Sequence, residues 1–305
     1  MNPLGEAPQS HSISQNGTSD ATAGPGGLAV GRASSEEWHE VAEWAAAEAW
    51  NPGDSDVACF HPTDPDGFFI GRIGARAVSA VSVVNYSPEY AFLGYYLVHP
   101  DHRGQGLGIA TWRTAVPHAG ARTIGLDAVP AQEANYRRSG FTSANGTIRY
   151  GGRPERSGAP GAGVVPVTAA HHEAIAAYDR TCFPADRSGF VARWLSTAGH
   201  TAYAALRDGR LTGYGVIRPS RDGRRIGPLF ADTPEDAEGL FDALTAHLGP
   251  DEVVSVDVPE TQKAADALVT ARGLTPQAEF VRMYTGPVPE IRQERVFGVT
   301  TLELG

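Results

Sequence analysis

The chain has 305 residues, 41% of them hydrophobic, which is enough for two ordinary domains with real cores. A formal charge of −10 argues against a general nucleic-acid binder, because phosphate binding needs a basic surface, and suits a cationic small molecule better. The two cysteines, Cys59 and Cys182, have no CxxC partner and no window reaches the ~18 apolar residues of a membrane span, so the expected setting is a reducing cytoplasm without disulfide, metal, membrane or nucleic-acid partner.

Residues 1–27 lack the basic start and apolar core of a signal peptide and read as a disordered tail. "GLAVGRA" is strand-like, and "SSEEWHEVAEWAAAEAW" reads as a helix whose Ser34 and Glu37 have capping-box spacing. Phe69 to Ile73 and Ala77 to Tyr86 read as a hairpin. The strand "YAFLGYYLV", a glycine-rich loop and a helix through about His118 follow, then "TIGLDAV" as strand, "AQEANYRRS" as helix and "TIRYGG" as strand. In "RPERSGAPGAG", Arg153 to Gly163, the hydrophobic period is lost, as in a linker.

The second half repeats that order. "VVPVT" precedes helical "HHEAIAAYDRTCF" and "GFVARWLST", the hairpin "TAYAALRDGRLTGYGVIRPS" and the run "RRIGPLFAD". A helix through about Leu248, the strand "VVSVDV", the helix "TQKAADALVTARG" and the strand "EFVRMYTG" complete it. The expectation is an internal duplication of one α/β (α+β) fold, with domains at 28–152 and 164–287, the linker at 153–163 and a C-terminal segment at 288–305.

The loop after Val98 carries the chemistry. A strand feeding a helix through Arg103, Gly104, Gln105, Gly106, Leu107 and Gly108 presents successive backbone N–H groups at a helix N-terminus, and the glycines let an anion approach without meeting a Cβ. Such a site suits a pyrophosphate. It is neither GxGxxG, which would need a glycine at Ile109 or Thr111, nor a P-loop, since no GKT or GKS follows.

The run Arg103 to Gly108 resembles the R/Q-x-x-G-x-G/A pyrophosphate loop of the GNAT superfamily of N-acetyltransferases, and "VHP" before it resembles the end of that family's fourth strand. "NYRRSGF", Asn135 to Phe141, is similar to the family's "LYxKxGF" segment. The resemblance implies two tandem GNAT-like domains, each a mixed, mostly antiparallel sheet flanked by helices. It implies acetyl-CoA as acyl donor, a small-molecule amine as acceptor, direct attack in a ternary complex, and a wedge between the fourth and fifth strands for the pantetheine arm.

Carried over to this chain, the backbone at Leu97 and Val98 would hold that arm and polarise the thioester carbonyl. The amides from Gly104 through Gln105, Gly106 and Gly108 to Ile109 would hold the pyrophosphate, with Arg103 either adding charge or fixing the loop. Tyr136 would protonate the departing thiolate or orient the sulfur. Asp127, in the fifth strand, is the first candidate for general base and Glu89 the second; either also reads as a strand-end carboxylate. Asn51 and Asp54, after the first helix, could contact a cationic acceptor or simply form the Asn-Pro-Gly-Asp turn. Cys59 reads as a packed residue, and the adjacent His171 and His172 make a poor metal pair.

The second half has "FADTPEDAEGL" where the first has the glycine loop. Thr233 can cap that helix and Pro234 open it, but Glu235, Asp236 and Glu238 satisfy its dipole internally and would repel a pyrophosphate. Val269 stands where Tyr136 does. The reading is therefore an acetyl-CoA-dependent N-acetyltransferase acting through its first domain. A non-catalytic acyl-CoA-binding regulatory protein is the alternative. A tandem enzyme of the mycothiol synthase kind is another, although its intact site would fall in the second half.

Overall fold

The computed structural model describes residues 25–155, 161 and 163–305; most of the expected tail and linker, residues 1–24, 156–160 and 162, lie outside them. The first half runs β1 (Leu28–Arg32), α1 (Ser35–Ala47), α2 (Asp56–Phe60), β2 (Phe68–Ile73), β3 (Arg76–Asn85), β4 (Tyr90–Val98), α3 (Leu107–Ala115), β5 (Thr123–Ala128), α4 (Glu133–Arg138) and β6 (Thr142–Gly152). The second runs β7 (Val164–Pro166), α5 (His172–Cys182), α6 (Ser188–Ser196), β8 (Thr201–Arg207), β9 (Arg210–Pro219), β10 (Arg224–Ala231), α7 (Pro234–Thr245), β11 (Val254–Pro259), α8 (Lys263–Ala271) and β12 (Thr275–Tyr284). A short β13 (Val296–Gly298) follows. At the head of α1, Ser34 and Glu37 form the reciprocal capping box, and Trp38, Val41 and Ala45 bury one helical face.

All of these strands join one sheet, ordered β1-β2-β3-β4-β5-β12-β6-β11-β10-β9-β8-β7, with β13 added against β10. The two halves exchange their last strands. β12 of the second half lies against β5 of the first, and β6 of the first lies against β11 of the second. Each exchanged strand pairs on both edges, β6 and β12 also pairing with each other, which is why they reach 11 and 10 residues.

The registers on either side of this exchange correspond. Asp127 sits opposite Arg282 and Asp257 opposite Arg149, and each Asp–Arg pair is bidentate, at 2.7 and 2.7 Å for the first and 2.7 and 3.0 Å for the second. In the parallel pairs, Phe92 opposite Gly125 corresponds to Arg225 opposite Ser255. The duplication thus extends to single residue positions.

One face of the sheet packs Val81, Leu93, Leu126 and Met283 against Trp112 of α3, and further along Val256 and Val258 against Leu240 and Phe241 of α7 and Leu268 of α8. On the other face α1, α2, α5 and α6 share one core, in which Trp38, Phe60 and Tyr95 meet Trp194 and Tyr214. The halves are therefore one body, and no described helix is long and apolar enough to cross a membrane.

Asp257 tests the exchange. Burial alone would raise its carboxyl, but the guanidinium groups of Arg149 and Arg225 outweigh that and hold it at about 2. Asp257→Ala leaves two buried guanidinium groups without their shared partner and should destabilise the protein by about 3–5 kcal/mol in denaturant titrations. Because the folded pKa is depressed, the wild-type contribution is fully present above the unfolded value of ~3.9 and is lost as pH falls through about 2. The variant's deficit should narrow over that acid window. A deficit under about 1 kcal/mol at neutral pH would mean that the pair does not hold the exchanged strands.

Candidate active site

The site begins at an irregularity in β4. Its register against β3 moves from Ala80 opposite Leu97 to Ser82 opposite Gly94, so β4 carries one extra residue, and Tyr95 there has φ +49°. The bulge reverses the alternation of faces: Ala91 and Leu93 point into the core beside α3, whereas Tyr95 and Leu97 point into the opposite core. Beyond it β4 and β5 part. Their ladder holds Tyr90, Ala91 and Phe92 against Thr123, Ile124 and Gly125, while β4 continues to Val98 and β5 to Ala128 without pairing further. Leu97 and Val98 line the resulting wedge, still paired to Ala80 and Ser79 of β3 on the other edge.

The glycine loop leads from this wedge into α3. Gly106 is the N-cap in the left-handed region at φ +77°, a conformation glycine adopts without steric cost, and no atom lies within 4 Å of where its Cβ would stand. The N–H groups of Leu107, Gly108 and Ile109 open the helix, where no earlier helical carbonyl exists to accept them. Gly108 serves a different purpose. A Cβ there would fall 2.7 Å from Val98 Cγ2 and 3.0 Å from the Tyr96 hydroxyl, so its absence is what seats α3 on β4.

Arg103 fixes the loop. Its Nε donates to the Val98 carbonyl at 3.1 Å and its guanidinium pairs with Glu48 at the end of α1. The Gln105 amide donates to the Asp101 carbonyl. Ile109 is 41% exposed, an apolar side chain standing at the loop mouth.

Tyr136 lies on α4 with its ring against Trp112 of α3 and Phe141. Burial, and after it the neighbouring Tyr96, push its phenol above the usual range, so the proton is present at every working pH. Tyr96 completes an aromatic wall with Trp112 beside the start of α3, a position that sequence spacing did not single out.

Of the remaining expected residues, Asp127, Asn51 and Glu89 have side-chain partners of their own, whereas Asp54 is exposed and engages through its backbone N–H. Asp127 is fully buried and both its oxygens accept from Arg282; burial pushes its carboxyl up, against the guanidinium, with the charges of Asp257 and Glu303 adding to the rise. Accepting a proton would require Asp127 to give up a pair that the second half duplicates at Asp257. The Asn51 side chain donates to the Asp222 carbonyl and accepts from the Asp222 N–H, and the Asp54 N–H donates to the Pro219 carbonyl. This loop docks the first half on the β9–β10 turn, and Asp56 behind it pairs with the buried Arg218 at 2.8 Å. Glu89 accepts from Ser87 in its own turn. Cys59 and Cys182 are buried free thiols.

The corresponding place in the second half is closed twice over. Thr233 caps α7 by accepting from the Asp236 N–H, with Glu235 and Asp236 in the first turn. In addition, where β10 and β11 part beyond Ile226 and Val256, β13 enters: it pairs with β10 at Leu229 and Phe230, and the Val299 N–H donates to the Asp257 carbonyl. Phe297 is buried there. The wedge that stands open in the first half is filled by the chain itself in the second.

Comparison with known proteins agrees with this geometry. Residues 35–141 match the acetyltransferase (GNAT) family and residues 175–298 an acetyltransferase (GNAT) domain. The chain is 33% identical over 273 residues to the holothin acyltransferase of Pseudoalteromonas sp. (strain SANK 73390), covering 90% of this chain and 93% of that one. Among solved structures, a putative acetyltransferase from Pyrococcus horikoshii superposes with a TM-score of 0.77 at 20% identity, covering 97% and 100% of the two chains. A tandem GNAT protein from the clavulanic acid biosynthesis pathway superposes with a TM-score of 0.60 at 17% identity, covering 86% and 99%. With a wedge, an anion-ready helix start and a duplicated fold in one chain, and with both halves matched by the same family, this protein belongs to the GNAT family and is a tandem-domain acyltransferase.

Proposed function

We propose that the chain transfers an acetyl group from acetyl-CoA to the amine of a small molecule, by direct attack in a ternary complex at the wedge of the first half. The observation that carries this reading is the contrast within one sheet: the wedge beside the glycine loop is open, and its counterpart is filled by β13 behind an acidic helix start. The N–H groups of the loop and of Leu107 to Ile109 bind the diphosphate. The backbone of β4 at Leu97 and Val98 holds the pantetheine arm and polarises the thioester carbonyl. Tyr136 supplies the proton to the departing sulfur. Acetyl-CoA brings an activated thioester, so no covalent enzyme intermediate is needed, in keeping with the buried, raised thiol of Cys59.

In this account Asp127 and Arg282 hold the exchanged strand, Arg103 holds the loop, and Asn51 and Asp54 hold the two halves together. The net charge of −10 favours a cationic acceptor, and a relative named for holothin supports a small molecule in that role. Two free thiols suit the cytoplasm as the place of action. Incubating the full chain with acetyl-CoA and a set of primary alkyl and aryl amines, holothin included, should release free CoA thiol with at least one of them and yield the N-acetyl product by mass. Binding of acetyl-CoA without thiol release from any amine would overturn the reading.

A further inference from the structure

The first half's wedge lacks an assigned proton acceptor, and the C-terminal segment passes beside it. After β13 the chain crosses the sheet on the face that carries Tyr95. There the Glu303 carbonyl comes within 2.0 Å of where a Cβ on Gly94 would stand, and the Thr300 carbonyl within 2.3 Å of the same position on Gly227. These two glycines correspond in the duplicated register, so one strap lies over the parting point of both strand pairs. It contacts β4 immediately before the bulge at Tyr95.

Glu303 is 4% exposed. One carboxylate oxygen faces Arg225 of β10 at 3.4 Å; the other, buried, has no hydrogen-bond partner among the described residues. The Tyr95 hydroxyl, 1% exposed, has none either. Buried polar atoms left unpaired are costly, and a group held that way is accounted for when a ligand or water completes it. Burial, and after it the charge of Glu303, raises Tyr95 of β4, and Glu303 adds to the rise that burial gives Asp127 on β5. A cavity of about 40 Å³, bordered by Thr300, Gly305, Arg282 and Tyr284, lies along the strap on the same face.

We infer that Glu303 is the catalytic base of the first-half site, held in place by Arg225 of the second half. The unpaired oxygen of Glu303 accepts a proton from the acceptor's ammonium group. The neutral nitrogen then bonds to the thioester carbonyl carbon. As the C–S bond breaks, the sulfur takes the electron pair and the phenolic proton of Tyr136. The nitrogen loses its second proton, which restores Tyr136 through solvent, and Glu303 releases the first to water, so that ammonium and thioester become amide, thiol and one proton. This gives the second half a part in the reaction: it binds no donor but supplies Arg225, which also bonds Asp257 and the Asn51 carbonyl.

The inference rests on the functional reading above, and its test separates the two. The charged or titratable groups around Glu303 are Arg225 on β10, Tyr95 on β4, Asp127 on β5 paired with Arg282, Asp257 on β11 paired with Arg149, and Arg218 on β9 paired with Asp56. In each of these pairs both carboxylate oxygens accept from a guanidinium, Arg218 keeping one buried nitrogen without a partner, which leaves Glu303 as the carboxylate of this group with an unpaired oxygen. Glu303→Gln keeps the shape and removes the basicity, and Glu303→Asp keeps the charge but draws it back by one methylene.

With the amine that supports thiol release, Glu303→Gln should lose about 10²- to 10⁴-fold in kcat with unchanged acetyl-CoA affinity by calorimetry. Its rate should then climb about tenfold per pH unit as free amine accumulates, and Glu303→Asp should recover part of kcat and the wild-type pH profile. Wild-type kcat and profile in Glu303→Gln would overturn the assignment. So would a loss of kcat that keeps the wild-type pH profile and is not relieved in Glu303→Asp, which would mark a structural role. If the wild-type protein releases no thiol with any amine, the functional reading fails and this one with it.

Discussion

Tyr136→Phe should lower kcat by about 10²- to 10⁴-fold, the range for loss of a general acid, while leaving acetyl-CoA affinity nearly unchanged. The ring stays packed on Trp112 and Phe141, so only the hydroxyl is lost. Burial keeps that hydroxyl protonated, but giving its proton to a thiolate of pKa ~8.5 is uphill by more than ~1 unit, so transfer depends on the hydroxyl being within hydrogen-bond reach of the sulfur as the tetrahedral species collapses. The result that would remove Tyr136 from this role is a wild-type kcat. Equal losses in binding and turnover would instead assign it to orienting the sulfur.

Gly106→Glu should weaken acetyl-CoA binding by about 100-fold or more, because it puts a carboxylate at the helix start proposed to hold the diphosphate and forces a side chain into a left-handed backbone. The surrounding space is open, so the cost to folding should stay near ~1 kcal/mol. Calorimetry on the folded variant measures this directly. An unchanged affinity would mean that the loop does not hold the cofactor.

Local features of this fold were legible in the sequence, and non-local ones were not. The strand ending at Val98, the glycine loop, the helix behind it and the acidic start at Thr233 each lie within a few consecutive residues, where cap chemistry and periodicity act. The fate of Asp127 depended on Arg282, 155 positions away, and that of Asn51 on Asp222, 171 positions away. Nothing local marks which strand β6 or β12 will pair with, since either edge offers the same hydrogen bonds. β13 has only three residues and no alternation, so the segment from 288 carried no strand signal, yet it fills one wedge and crosses the other.

Those unseen contacts change what individual residues do more than they change the fold. Asp127 belongs to a duplicated structural pair, and Asn51 belongs to the joint between halves. Glycines that look alike in "RGQGLG" divide their work, Gly106 taking the left-handed turn at the head of α3 and Gly108 admitting the strand beneath.

One chain should hold one donor site, in its first half. The measurement is a CoA titration of the chain beside its Gly106→Glu variant. The wild type should bind one equivalent, and binding should be weakened by about 100-fold in the variant. Two equivalents on the wild type, or one retained by the variant with its affinity intact, would contradict it, because the wedge filled by β13 behind the acidic start of α7 would then be binding cofactor.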